Sequence, residues 1–134
     1  AATAWLRSNV AVYVLNLPRD AERRQYMSSR LQELGIQFNF IKGVDMSVPG
    51  TYATLKQQGI IPQSFSAQQA MRSFGSGVAG MVGCAAAHLG AQRKIVASGQ
   101  QQPLALVFED DTRAEDDFAV KLQRLVTQEA PCDW

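Results

Sequence analysis

The chain has 134 residues, of which 46% are hydrophobic, so it is long enough for one domain and too apolar for a disordered segment. Its 13 basic and 12 acidic residues nearly cancel, which argues against a nucleic-acid-binding protein, because such proteins present a basic face to the phosphates. The two cysteines, Cys84 and Cys132, do not have the spacing of a disulfide framework or a metal motif, which favours a reducing, cytoplasmic compartment.

Residues 1–9 lack the basic start and the apolar stretch of a signal peptide, and no apolar run in the chain is long enough to span a bilayer. We interpret residues 1–9 as an extension or a cloning remnant and place the domain at residues 10–134. The domain begins with a continuous apolar segment, VAVYVLNL at residues 10–17, which predicts a buried parallel strand. A helix is predicted over residues 21–34, followed by a second short strand at residues 38–41.

The rest of the pattern predicts two short helices, a long alanine-rich helix, a third buried strand and a last helix, at residues 51–58, 67–74, 79–97, 104–108 and 116–128. Alternation of strands and helices is typical of a Rossmann-like α/β sheet. In such a sheet, ligands bind beyond the carboxyl ends of the strands. We therefore expect the polar residues that follow the three strands to converge.

The third strand runs directly into three carboxylates, Glu109, Asp110 and Asp111. Like charges a few ångströms apart raise each other's pKa values, so the triplet is unfavourable without a counter-charge. Mg²⁺ or Mn²⁺ removes that cost, because a hard cation prefers carboxylate oxygens and substrate phosphates. The alternative is that the acids simply open a solvated loop or cap the next helix.

Basic side chains are predicted to cluster where the first strand meets its helix, at Arg19, Arg23 and Arg24, beside Asn16. A helix N-terminus favours anions, and arginine binds phosphate through two parallel hydrogen bonds. The alternative is that these arginines are ordinary surface charges paired with neighbouring acids. A phosphate held between the arginines and a metal ion on the carboxylate triplet would use both clusters.

Two alternative interpretations, a dinucleotide-binding domain and a receiver-like signalling domain, fit the sequence less well. Gly75, Gly77 and Gly80 match the spacing of a dinucleotide fingerprint, but no apolar strand precedes them, so we interpret them as hinge and packing residues. A receiver-like signalling domain would need acids at the end of the first strand, and that strand ends in Asn16-Leu17-Pro18.

Four motifs, VYVLNLPRDAERR, LGIQFNFIKGVD, GMVGCAAAHL and ALVFEDD, occur in the order and approximate spacing of glycosyltransferase family 25. The chain resembles this family of lipopolysaccharide galactosyltransferases over residues 10–134. The resemblance implies a GT-A type nucleotide-sugar-binding sheet with flanking helices. It also implies transfer of a hexose, usually galactose, from a UDP-sugar to a lipopolysaccharide or lipooligosaccharide acceptor in bacteria, with Mn²⁺ or Mg²⁺ as cofactor.

The resemblance also implies roles for individual residues, although it identifies no catalytic base. Asp111 is the expected metal ligand, and Glu109 is expected at the ion, at a metal-bound water or at the ribose. Arg19 or Arg23 is expected near the diphosphate, and Asp45 near the uracil or ribose. The residues expected to bind the UDP-sugar are Asn16, Leu17, Pro18, Arg19, Arg23, Asp45, His88, Glu109 and Asp110.

Cys84 and His88 match the family's G-x-x-G-C-x-x-S-H segment. We interpret Cys84 as a packing thiol, and His88 either as a packed, hydrogen-bonded side chain or as a donor to a phosphate or sugar hydroxyl. Ala87 stands where the family usually has serine, Met81 where it has an acid, and Met46 where a small residue is common. These departures favour the alternative function, a catalytically degenerate nucleotide-sugar-binding or interaction module.

In the family, an Asp-Trp pair similar to Asp133-Trp134 leads into a further strand and the acceptor half. We therefore expect a sheet that is incomplete at the C-terminus, in a fragment or a reduced paralogue that does not transfer sugar by itself. The exposed sheet edge is expected to favour homo-oligomers. A cytoplasmic location is compatible with peripheral association at the inner face of the cytoplasmic membrane.

Overall fold

The computed structural model describes residues 1–129 and contains a three-stranded parallel sheet. Its strands are β1 (Val10–Asn16), β2 (Asn39–Lys42) and β3 (Leu104–Glu109), in the order β2-β1-β3. Leu15 pairs with both Ile41 and Glu109, so the carboxyl ends of all three strands meet at one edge of the sheet. The predicted Rossmann-like α/β arrangement, with its three parallel strands, is confirmed.

Helices occupy most of the rest of the described residues: α1 (Ala2–Asn9), α2 (Ala21–Glu33), α3 (Thr51–Gln57), α4 (Ala67–Phe74), α5 (Val78–Ser98), α6 (Phe118–Arg124) and a π-helical turn (Leu125–Glu129). Four of the five predicted helices agree with the structure to within one residue at each end. The last prediction, residues 116–128, is wrong in its bounds, because α6 begins at Phe118 and continues as a π-helical turn from Leu125. The sequence pattern also places Leu125 on the apolar face of an α-helix, but the π-helical turn changes the angular spacing of side chains, and Leu125 is 47% exposed.

The larger part of the core, here called the major core, lies between one face of the sheet and α2. Alternate residues of β1, namely Val10, Val12 and Val14, face the same side, as the two-residue period of a strand requires. They pack with Met27 and Leu31, which are four residues apart and therefore share one face of α2. Val14, Met27 and Leu31 are completely buried, which fixes α2 against the sheet.

On the other face of the sheet, Leu15 packs against α5 through Ala87 and Ala91 in a smaller cluster. The small alanine side chains let the helix backbone lie close to the strands. Helices therefore cover both faces of the sheet, as expected for a doubly wound α/β fold. Within residues 1–129 no single helix is long and apolar enough to cross a bilayer; α4 and α5 reach that threshold only together, and the pair is bent by 117°.

Helix α1 was not predicted from the sequence. Eight residues are too few for a stable isolated helix. The helix forms because Leu6, only 2% exposed, enters the major core, while Trp5 packs against that core and α1 lies beside α6. Tertiary packing therefore stabilises this segment.

The contribution of α1 is testable by removing one side chain. Leu6→Ala should lower the free energy of unfolding by about 2–5 kcal/mol, because it leaves a cavity in the major core. Val96→Ala on α5 is the control: Val96 is 86% exposed, and its loss should change stability by less than about 0.5 kcal/mol. Urea denaturation followed by circular dichroism measures both. Equal stability of the two variants would show that α1 is not part of the core.

Candidate functional site

A cavity of about 510 Å³ lies at the carboxyl ends of the strands. Its floor includes Asn16 at the end of β1 and Asp110 just after β3. One wall is the segment of residues 43–47 that follows β2, and another is the first half of α5. The cavity therefore lies where the parallel α/β topology places ligand sites.

Asn16 and Asp110, which are 3% and 8% exposed, are the two buried polar residues of the part of the chain that the structure describes. Asn16 Nδ2 donates a hydrogen bond of 2.8 Å to Asp110 Oδ2 and a second of 3.2 Å to the Asp20 carbonyl. Asn16 Oδ1 accepts from Arg24 Nη1 at 3.4 Å. The amide thus joins the end of β3 to the start of α2, with its carbonyl and amino groups both bonded.

Arg23 approaches the same carboxylate from the first turn of α2. Its Nη1 lies 3.3 Å from Asp110 Oδ1, so Asp110 receives one neutral and one charged donor. The hydrogen bond and the charge of Asp110 raise the pKa of Arg23 above its usual value. The Arg23 side chain is 57% exposed and lines the cavity, which leaves positive charge at the mouth of the site.

A second polar group joins the turn after β1 to the segment after β2. Arg19 Nη1 donates to both carboxylate oxygens of Asp45, at 3.0 and 3.1 Å, and to Ser47 Oγ at 2.8 Å. Ser47 donates to Asp45 Oδ1 through its hydroxyl, at 2.6 Å, and its backbone amide, at 2.9 Å. These bonds from Ser47, followed by the charge of Arg19, lower the pKa of Asp45. Sequence reasoning missed Ser47, although Asp-x-Ser is a known turn signal.

Glu109 makes its contacts with α5. Its Oε1 lies 2.9 Å from His88 Nε2 and accepts a 3.3 Å hydrogen bond from Cys84 Sγ. Hydrogen bonds from His88, and then from Cys84, lower the pKa of Glu109, while the bond to Glu109 raises the pKa of the Cys84 thiol. Our interpretation of Cys84 as a packing thiol is wrong, because the thiol is exposed and meets a carboxylate. The four-residue spacing of Cys84 and His88, which places both side chains on one face of a helix, could have indicated from the sequence that they share a partner.

The two carboxylates expected at one metal ion, Glu109 and Asp111, line different depressions of the surface. Glu109 lines the main cavity, whereas Asp111 lines a neighbouring depression that shares only Arg23 and Asp110 with it. Within residues 1–129, the Asp111 side chain makes no hydrogen bond and no ion pair. The acid that enters the centre of the site is Asp110.

The remaining expected site residues divide into two groups. Leu17 and Arg19 line the main cavity directly, together with Met46 and Ala87. Pro18 forms the turn after β1, and Asp45 and His88 lie behind the lining and hold Arg19 and Glu109 in place. Met81, one of the departures noted above, is 61% exposed and is not part of the cavity wall. The other two departures, Met46 and Ala87, border the cavity.

Gly83 allows α5 to approach the segment after β2. A Cβ atom there would lie 2.9 Å from Met46 Cγ and 3.1 Å from the Val44 carbonyl oxygen, which is backbone and cannot rotate away. The wall of the cavity therefore depends on a missing side chain. Gly80, one turn earlier on the same helix, has nothing within 4 Å of its Cβ position.

These two glycines form a matched pair for mutation. Gly83→Ala should destabilise the fold by about 1–3 kcal/mol, because the added methyl group overpacks the contact. Gly80→Ala should stabilise it by up to about 1 kcal/mol, because alanine is the better helix former. Thermal denaturation of both variants decides the matter. If Gly83→Ala is as stable as Gly80→Ala, the close approach does not determine the cavity wall.

Comparison of the sequence with known proteins shows which family the chain is similar to. The sequence profile described as "Glycosyltransferase family 25 (LPS biosynthesis protein)" matches residues 9–133. The chain is 33% identical over 115 residues to a Rattus norvegicus protein named "Probable inactive glycosyltransferase 25 family member 3". It is 32% and 31% identical, over 115 residues each, to the Mus musculus and Homo sapiens proteins named "Inactive glycosyltransferase 25 family member 3".

These alignments cover 86% of this chain but only 18–19% of each relative, so the chain spans about a fifth of their length. No solved structure is significantly similar to the chain.

Proposed function

The chain belongs to glycosyltransferase family 25, and we propose that its strand-end cavity binds the UDP-sugar donor of a hexosyl transfer, with galactose as the sugar and a lipooligosaccharide as the acceptor. The observation that supports this most is that two arginines line the cavity at the carboxyl edge of a parallel sheet, each paired with a carboxylate: Arg23 with the buried Asp110, and Arg19 with Asp45. A nucleoside diphosphate needs cationic groups at such an edge, and the sheet holds them in fixed positions.

The arginines have donors to spare for the diphosphate. A guanidinium group carries five N–H bonds, and Arg19 and Arg23 each bond to the protein through Nη1 alone within residues 1–129. Their other donors form no hydrogen bond in that part of the chain. Because Asp45 and Asp110 fix the two side chains, less conformational entropy is lost when an anion binds.

A hard divalent ion fits the exposed carboxylate of Asp111 better than a Glu109–Asp111 pair. The oxygens of Asp111 are uncommitted in the described residues, whereas Glu109 already accepts from His88 and Cys84. Mg²⁺ and Mn²⁺ sites often use one protein carboxylate, with phosphate and water oxygens as the other ligands. When bound, such an ion would neutralise the charge that develops on the leaving diphosphate.

The protein's own groups would hold the diphosphate and exclude water from one side of it. Asp110, fixed by Asn16, orients Arg23, and the apolar side chains of Leu17 and Met46 close part of the cavity. Transfer also needs a base for the acceptor hydroxyl. Of the three carboxylates that line the cavity within residues 1–129, Glu109 and Asp110 already accept hydrogen bonds, whereas the Asp20 side chain accepts none, and we assign the base to none of them.

A second function, binding of a nucleotide sugar without transfer, is favoured by two observations. The relatives named above are called inactive, and Ala87 borders the cavity where the resemblance implies serine. Product formation from UDP-galactose and a lipooligosaccharide acceptor distinguishes the two functions. Binding of UDP-galactose without product would favour the module.

The role of the arginines can be separated from that of the base-binding region by comparing two ligands. Arg23→Ala and Arg19→Ala should each weaken UDP binding more than uridine binding, because only UDP carries the diphosphate. Isothermal titration calorimetry measures both affinities. Arg72→Ala removes an exposed arginine of α4 away from the cavity and should leave them unchanged. Equal losses of UDP and uridine binding would show that the arginines do not contact phosphate.

The ion is tested at Asp111. Asp111→Asn should weaken UDP binding in the presence of Mn²⁺ by at least about tenfold, because it removes a charged oxygen ligand from a hard-ion site. UDP affinity without Mn²⁺ should stay the same in the variant, which serves as the internal control. If the Mn²⁺-dependent gain in affinity persists, Asp111 is not the ligand.

A further inference from the structure

We propose that Cys84, His88 and Glu109 form a zinc site at the junction of α5 and β3. Cys84 Sγ, His88 Nε2 and Glu109 Oε1 all lie within 4.8 Å of one another. The proposal does not depend on the donor function above, because it concerns a different ion and different ligand atoms from those of Asp111.

The three donor types match zinc rather than magnesium or manganese. Thiolate sulfur and imidazole nitrogen suit a borderline-soft ion, whereas Mg²⁺ and Mn²⁺ prefer sites made of oxygen. A thiolate, a carboxylate and a neutral imidazole together carry a charge of about −2, which compensates a divalent cation. The spacing of Cys84 and His88, four residues apart on α5, places both donors on the same face of a helix.

The distances in the structure are close to those of a tetrahedral zinc site. Bonds of about 2.0 Å to nitrogen and oxygen and about 2.3 Å to sulfur place a nitrogen and an oxygen ligand about 3.3 Å apart, and a sulfur and an oxygen ligand about 3.5 Å apart. The structure has 2.9 Å between His88 Nε2 and Glu109 Oε1, and 3.3 Å between Cys84 Sγ and the same oxygen. The third pair of ligand atoms, on Cys84 and His88, lies within 4.8 Å, so rotations of the side chains would bring all three ligands to bonding distance of one ion.

The site is accessible and would keep one coordination position open. The side chains of His88 and Glu109 are 35% and 49% exposed, and Cys84 is exposed as well, so an ion can enter from solvent. Three protein ligands leave the fourth position of a tetrahedron to water or substrate. Cys84 and Glu109 both line the main cavity, so an oxygen of a bound ligand could take that position.

Cobalt is the most direct probe, because Co²⁺ replaces Zn²⁺ in tetrahedral sites and its absorption reports thiolate ligation. The chelator-treated chain should bind one equivalent of Co²⁺ with a sulfur-to-metal charge-transfer band and strong visible bands, and Zn²⁺ should abolish both. Cys84→Ser should remove the charge-transfer band. Cys132→Ser is the matched control and should keep it. Loss of the band in Cys132→Ser, or its persistence in Cys84→Ser, would overturn the assignment.

The carboxylate ligand is tested by a second pair of variants. Glu109→Gln should weaken Zn²⁺ binding by at least about tenfold, while Asp111→Asn should leave it unchanged, with the fold of both checked by circular dichroism. Equal weakening in both would mean that zinc occupies the carboxylate triplet instead. Failure of the zinc proposal in this experiment would not affect the proposed donor site, because the donor site is tested separately by UDP binding.

A third test leaves Cys84, His88 and Glu109 unchanged, so its result does not depend on whether a ligand variant folds. In the Cys132→Ser chain Cys84 is the single thiol. Zn²⁺ should slow its alkylation by iodoacetamide at least about tenfold, because a metal-bound thiolate is shielded, whereas Mg²⁺ should not. Alkylation at the same rate with and without Zn²⁺ would contradict the site.

Discussion

The hydrogen bond between Asn16 and Asp110 is the interaction on which the rest of the site depends. It joins two buried polar side chains at the ends of neighbouring parallel strands, over 2.8 Å. A hydrogen bond to a charged group contributes about 1.5–3 kcal/mol, and a buried carboxylate without donors would cost more than that. By fixing Asp110 inward, the bond also positions Arg23.

The three acids of the triplet therefore have three different environments. Glu109 is the last residue of β3 and the chain turns at Asp110 and Asp111, so Glu109 meets α5, Asp110 faces β1 and α2, and Asp111 faces the neighbouring depression. The three adjacent acids can thus have three roles. Glu109 belongs to the cluster with Cys84 and His88, Asp110 holds the ends of β1 and β3 together, and Asp111 offers an exposed oxygen ligand. This division explains why we propose different ions for Glu109 and Asp111.

Much of the fold could be predicted from the sequence, because apolar runs and their periods determine which segments form strands and helices. The position of the site could also be predicted, because the carboxyl ends of parallel strands meet at one edge of the sheet. The choice of Asp110 as the buried acid could not be predicted, because it depends on the register of β1 and β3 across 94 residues of sequence. Helix α1 was not predicted for a related reason, because Leu6 is buried in the major core, most of whose residues come from other elements of the chain.

The central claim is that a nucleotide binds at the carboxyl end of this sheet, and chemical-shift mapping by NMR tests it most directly. Addition of UDP to the isotope-labelled chain should shift the backbone amides of residues 16–23, 43–47, 80–84 and 109–111, which surround the main cavity. Amides at the opposite end, near Arg7, Gln37 and Gln102, should not move. Shifts confined to that opposite end would contradict the account.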